Sequence, residues 1–162
     1  MTKPMKEGLS LLSSKRFPGR FGSGGYRHEA IVGVGGNLGD VVKRFDRVVD
    51  YLRRGGLVRV AETSVILKNP PFGYADQPDF FNATMRIETD LSPLKLLRYL
   101  LWVEKRFGRR RSFKNAPRTL DLDIIFYDRL RLRTWRLQLP HPHFHTRESV
   151  MIPLMFMKEE NR

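Results

Sequence analysis

The chain has 162 residues and a formal net charge of +13, with 30 Lys and Arg against 17 Asp and Glu. That length suits one domain with a real core, and the absence of cysteine excludes disulfides, zinc thiolates and a thiol nucleophile. No apolar run reaches the length of a membrane span and no signal-peptide core opens the chain, so a soluble, cytoplasmic protein is expected.

The charge is unevenly placed. Residues 1–28 carry +5 and residues 106–118 carry +6, whereas 29–105 and 119–162 carry +1 each. Such patches attract nucleic acid, anionic membranes or phosphorylated small molecules, and composition does not choose among them.

Residues 1–28 read as a basic N-terminal extension before a single domain, 29–162. Leu9, Leu11 and Leu12 could form a short helix, and the turn-rich PGRFGSGG after them is expected to be irregular. The basic–aromatic mixture in KRFPGRFGSGGYR could suit an RNA-binding tail, but an arm packed on or hanging off the domain is the preferred reading. Residues 30–34 predict a buried strand running into GGNLGD. A dinucleotide fingerprint fails there, because the third glycine would fall at Leu38, and no GxxxxGK[ST] phosphate loop occurs. A tight strand-to-helix turn with Asp40 as N-cap fits better.

The next helix carries Val41, Phe45, Val48, Val49 and Leu52 on one stripe and ends at Gly55 and Gly56. Residues 57–67 predict a strand, and KNPPFGYADQ (68–77) a loop. In the strand predicted over 79–88, Phe81, Ala83, Met85 and Ile87 alternate with Phe80, Asn82, Thr84 and Arg86. Ser92 and Pro93 start a second helix, with Leu97, Leu100, Leu101 and Phe107 on its core face and Gly108 closing it.

The segment RRRSFKNAPRTLDLDIIFY (109–127) then alternates like a strand. Leu120, Leu122, Ile124 and Phe126 fall on one face, and Thr119, Asp121 and Asp123 on the other. Period two sets the two carboxylates roughly 7 Å apart at Cα. They repel each other unless a cation lies between them. Upstream stand Arg106, Arg109, Arg110, Arg111, Lys114 and Arg118, with no acid among them. The arrangement suits a metal–polyphosphate complex, since carboxylates hold hard cations and arginines grip phosphate. Simple ion pairing on an exposed strand face accounts for the charges equally well. A hairpin over 128–139, the run HPHFH and an apolar close at 150–157 complete the chain. The order βαββαβ is the ferredoxin-like one: an α+β fold with an antiparallel sheet and two helices packed on one face.

Four blocks, GGNLGD, NPPFGYADQPDFFNA, APRTLDLDI and LPHPHFHTRESVMIPL, follow in this order over about residues 30–157. Together they resemble the 6-hydroxymethyl-7,8-dihydropterin pyrophosphokinases of folate biosynthesis. The resemblance implies that ATP gives its terminal two phosphates, as a unit, to the hydroxymethyl group of the reduced pterin, and that AMP leaves. It implies magnesium, two ions with ATP, held by Asp121 and Asp123. Arg118 is implied at the nucleotide phosphates, Arg109 and Arg111 in a mobile catalytic loop, and Glu104, Arg136 and His141 at ATP. On the pterin side it implies Asn82 reading the ring edge and Phe80 stacking on the ring, with Asn69, Phe72 and Gly73 in the adjoining wall.

Three features depart from the family pattern. Ser149 stands where a second stacking aromatic is usual, with Phe144 as a nearby substitute. The catalytic loop is one residue shorter, with Asn115 where tryptophan is common. The longer tail of many relatives is absent, and a basic arm is added in front. His141, His143 and His145 form an H-x-H-x-H pattern, but with a magnesium pair already implied a separate transition-metal site is not expected. The alternative function is an RNA-binding ferredoxin-like module using the basic arm and loop. It lacks the aromatic RNP pattern, and two carboxylates on the strand would repel a phosphate backbone. Partners beyond ATP and the pterin, and the oligomeric state, are not legible.

Overall fold

A computed structural model describes residues 2–4, 8–71, 73–110 and 112–160. In chain order the elements are β1 (Thr2–Pro4), β2 (Ser10–Leu12), β3 (Gly19–Arg20), β4 (His28–Gly36), α1 (Val41–Gly55), β5 (Val58–Thr63) and β6 (Ile66–Asn69). They continue with β7 (Phe80–Thr89), α2 (Pro93–Arg106), β8 (Asp121–Tyr127), β9 (Leu132–Arg133), β10 (Gln138–Leu139), a single 3₁₀ turn (Phe144–Thr146) and α3 (Glu148–Glu160).

The central sheet runs β1-β2-β6-β7-β4-β8, with β5 pairing β7 beside β6 and β3 pairing β5. Every pairing is antiparallel. Counting β5 and β6 as one strand broken at Ser64 and Val65, the βαββαβ core has the ferredoxin-like strand order, as the sequence predicts. The single strand predicted over 57–67 is therefore two short ones.

Helix α1 begins where the Asp40 carboxylate accepts a hydrogen bond from the Lys43 amide at 3.2 Å, and it stops at Gly56 with φ +74°. Its predicted stripe is buried in full. Helix α2 starts with Ser92 accepting from the Lys95 amide. It buries Leu96, Leu100, Val103 and Glu104, while Leu101 is exposed, so the predicted core face is rotated. Both helices share one apolar cluster with Val32, Val34, Ala83, Met85, Ile87, Leu122 and Ile124, which places them on the same face of the sheet. The predicted apolar close is α3, which packs on β6 and β7 from the opposite face. There the Met157 sulfur lies 3.8 Å from the Thr84 hydroxyl.

Strand β8 keeps its predicted alternation only as far as Ile124. Ile31 pairs Phe126 and Val32 pairs Ile124, so Ile125 is an extra residue in the ladder. The bulge turns Tyr127 into the helix-side core. It turns Phe126 to the other side, edge-on to Phe144 at 4.8 Å.

The arm packs on the domain, and its expected helix is a strand. Leu9 to Leu12 make no helix; Ser10–Leu12 is strand β2, hydrogen-bonded to β6. Phe17 is fully buried against Phe45, with ring centroids 5.7 Å apart. Asp46 accepts from the Ser14 hydroxyl and the Arg16 amide, and Arg16 pairs with Asp50 at 3.0 Å. Arg16 and Phe17, the start of the segment resembling an RNA-binding tail, are thus spent on packing against α1. No helix among the described residues is long and apolar enough to cross a membrane.

Candidate active site

The face opposite α1 and α2 carries the site. Cross-strand register sets its floor: Asn82 on β7 pairs Gly35 on β4, and Gly35 pairs Asp121 on β8. One step along, Thr84 pairs Gly33 and Gly33 pairs Asp123. Residues directly opposite in a sheet project to the same side, so Asn82 and Asp121 face one space from strands roughly 10 Å apart. The glycine between them keeps that space open. A Cβ built on Gly35 would come within 2.7 Å of the Asn82 Oδ1 atom. The cleft above this floor has a volume of about 700 Å³, and Asn69, Phe80, Asn82, Arg118, Asp121 and Ser149 are in its lining.

Two carboxyl groups meet at the acidic end. Burial pushes the Asp123 carboxyl up to about 8, with the charges of Asp121 and Glu104 and a hydrogen bond to Asp121 adding to it. A cation held beside the two carboxyl groups would favour the ionised form of Asp123 instead. Arg109 donates to Asp121 Oδ1 at 3.1 Å and to the Leu120 carbonyl at 2.9 Å, and Arg118 reaches Asp121 Oδ2 at 3.4 Å. Among the described residues no group of three or more His, Asp or Glu could hold a metal. The two aspartates therefore offer an incomplete, all-oxygen donor set that fits a hard dication completed by phosphate oxygens and water.

The turn after β4 explains its glycines. A Cβ on Gly36 would lie 2.5 Å from the Thr119 carbonyl oxygen, so glycine permits the strand leading into β8 to cross there. The Asn37 amide then donates to the Arg118 carbonyl, and the Asn37 side chain accepts from the Arg118 amide at 2.9 Å. That side chain, buried, also donates to Gln77 at 2.8 Å. Gln77 in turn donates to the carbonyls of Asn115 and Tyr74. One polar chain thus joins the turn, the proline-rich loop and the basic loop. The guanidinium of Arg118 lies 5.4 Å from the Phe80 ring centroid, between the two ends of the cleft.

His141 is half-buried. Burial, followed by the nearby Arg147 and His143, holds its imidazolium below the ordinary value, against an opposing pull from Asp121. Its Nδ1 accepts from the His143 amide at 3.3 Å. The neutral ring therefore carries its proton on Nε2, free to donate.

A sequence-family model for the 7,8-dihydro-6-hydroxymethylpterin-pyrophosphokinases matches residues 31–159. The chain belongs to this family. It is 39% identical over 147 residues to the 2-amino-4-hydroxy-6-hydroxymethyldihydropteridine pyrophosphokinase of Helicobacter pylori, covering 89% of this chain and 90% of the relative. The enzyme of the same name from Campylobacter jejuni is 39% identical over 129 residues, 80% and 82% of the two chains. That from Bacillus subtilis is 36% identical over 125 residues, 77% and 75%.

Of the residues the sequence assigns to the site, Asn69, Phe80, Asn82, Arg118 and Asp121 line the one cleft. Asp123 adjoins Asp121, and Arg109 is bonded to it. Gly73 has φ +83° and lies against the Asn115 side chain, at the edge of the lining. Glu104 is only 2% exposed, and its Oε2 accepts from the Leu122 amide at 2.8 Å, so its carboxylate braces β8 from behind. Arg136 stands on the β9–β10 turn with its guanidinium 4.8 Å from the Trp135 ring, outside the cleft lining. Phe72 and Arg111 lie outside the described residues. Ser149 lines the cleft, whereas Phe144 is turned toward Phe126, so it does not substitute for a stacking ring there. The sequence assigns no site role to Asn37, Gln77 or Arg147. The first two could be found as amides inside GGNLGD and ADQPD, flanked by turn residues. Arg147, in the cleft lining, is marked only by following the histidine run.

Proposed function

We propose that the protein transfers the pyrophosphoryl group of ATP to the hydroxymethyl oxygen of 6-hydroxymethyl-7,8-dihydropterin and releases AMP, a step in folate biosynthesis. The observation that carries this reading is the row Asn82–Gly35–Asp121, which gives one cleft an amide-and-aryl end and an acidic, arginine-flanked end.

At the first end the Phe80 ring stacks on the flat pterin, which adds about 1 kcal/mol beyond burial. Asn82 donates its Nδ2 to Asn69 Oδ1 at 2.7 Å, which leaves Oδ1 directed over Gly35. There it accepts from a ring N–H or exocyclic amine of the pterin. At the other end Arg118 and the Nε2–H of His141 bind phosphate oxygens, and Arg109 keeps Asp121 oriented. Asp121 and Asp123 would hold the magnesium ions, which would neutralise charge on the triphosphate and on the leaving oxygen.

The hydroxymethyl oxygen attacks the β-phosphorus. The bond from that phosphorus to the oxygen bridging to the α-phosphate breaks, and AMP departs with it. The hydroxyl proton passes to solvent. The chain's contribution is positioning and electrostatic preorganisation.

Incubation with ATP, magnesium and the pterin, followed by nucleotide chromatography, tests this directly. AMP that appears only when pterin and magnesium are both present is the expected result. ADP as the product would mean single phosphoryl transfer and would overturn the proposal. No observation favours the RNA-binding alternative.

A further inference from the structure

Phe80 is the only phenylalanine, tyrosine or tryptophan among the described residues lining the cleft. A flat ring laid on it has a second face to cover, and Ser149 presents no ring to do so. What stands nearby comes from the N-terminal arm. Ser10 pairs Lys68 and Leu11 pairs Leu67, so the same register brings Leu9 opposite Asn69, which pairs Phe80. Leu9, Asn69, Pro70 and Phe80 all lie in the lining of the one cleft.

The arm is held firmly at this point. Gly8, at φ +79°, is pressed against the Pro70 ring, where a Cβ would meet Pro70 Cγ at 2.9 Å. Leu9 is 9% exposed and clusters with Leu11 and Leu67, with Ile152 and Phe156 of α3 packed on them. Ile152 lies one helical turn after Ser149, so Leu9 and the start of α3 border the same side of the cleft. The match to the family begins only at residue 31, so this wall lies outside the matched segment.

We propose that Leu9 is a substrate-binding residue, its side chain forming the apolar wall over the heteroaromatic ring whose other face rests on Phe80. The inference rests on the function proposed above. It makes the arm a part of the cleft, and apolar closure of this kind suits a site that binds a planar, mostly apolar ring with a few polar edges.

The test is steady-state AMP release by the full chain, with the Michaelis constants for pterin and ATP measured separately. Leu9→Ala is expected to raise the pterin constant on the order of tenfold with the ATP constant unchanged. Leu9→Val, which keeps the cluster largely filled, is expected to shift it the same way by less. Leu11→Ala, buried in the same cluster but outside the cleft lining, should lower the melting temperature and leave the pterin constant alone. A pterin constant within twofold of wild type in both Leu9 variants overturns the inference. So does an equal rise in Leu11→Ala, which would make the effect one of packing. Wild-type protein with no pterin-dependent AMP release would instead refute the proposed function, and this inference with it.

Discussion

The floor of the cleft and its walls are built differently. The floor is strand: Asn82, Gly35, Asp121 and Asp123 are fixed by antiparallel register, with Glu104 and the core behind them. The walls are the loops around Pro70 and Gln77 and around Asn115 and Arg118, tied by a few side-chain hydrogen bonds through Asn37 and Gln77, together with the start of α3. Register places atoms without further help, whereas a loop must be tied. Charges that must sit at fixed distances are best placed on the floor.

Breaking the floor should therefore cost the most. Asp121→Ala and Asp123→Ala should each lower pterin-dependent AMP release by about a thousandfold or more while the circular dichroism spectrum is kept. Wild-type turnover in either would remove that aspartate from the acidic end. Next comes Gly35→Val, which leaves both functional ends chemically intact but fills the space between them. A fall of roughly a hundredfold in kcat/KM is expected, and an unaffected variant would mean that the substrates do not meet over Gly35.

The pH response separates the two regions as well. In the metal-free protein the Asp123 carboxyl stands at about 8 against an ordinary 3.8. Between these values the folded protein keeps a proton that the unfolded chain has released, so stability falls as pH rises through that interval. Thermal melts without metal should show a falling midpoint from pH 5 to 8 that Asp123→Asn removes. Magnesium affinity should rise over the same range, since binding displaces the Asp123 proton. A pH-independent difference between wild type and Asp123→Asn would contradict the coupled pair.

The walls should yield smaller effects. Gln77→Ala removes the tie between two loops and should cost about 1–2 kcal/mol of stability and several-fold in kcat/KM, read from melts and kinetics together. Trp135, 87% exposed on the β9–β10 turn, should tolerate alanine with less than a twofold change in activity.

The same contrast decides what the sequence discloses. Alternation in 79–88 and 119–124 reveals the floor, because a period of two converts directly into side-chain direction. It fails at Ile125, where a bulge adds a residue with no mark in composition, and Phe126 and Tyr127 exchange faces. The sequence leaves open whether the arm packs on the domain or hangs off it, because the β6 partner of β2 lies more than fifty residues away and short strands carry little local signal. Leu9–Leu12 is as apolar as a helix start, and only pairing with β6 makes it a strand. The resemblance implies Glu104 at the nucleotide. Its burial under β8 depends on how α2 is rotated, which the misassigned Leu101 already shows to be hard to judge from spacing.

On the proposed function, one sheet face presents two functionally distinct ends to one reaction. The most direct test measures kcat and both Michaelis constants for Asp121→Asn and Asn82→Ala side by side. Asp121→Asn should lose kcat with the pterin constant nearly unchanged, and Asn82→Ala should raise the pterin constant with the ATP constant unchanged. If both variants shift the same parameter, or Asp121→Asn turns over at the wild-type rate, the division of the cleft is contradicted.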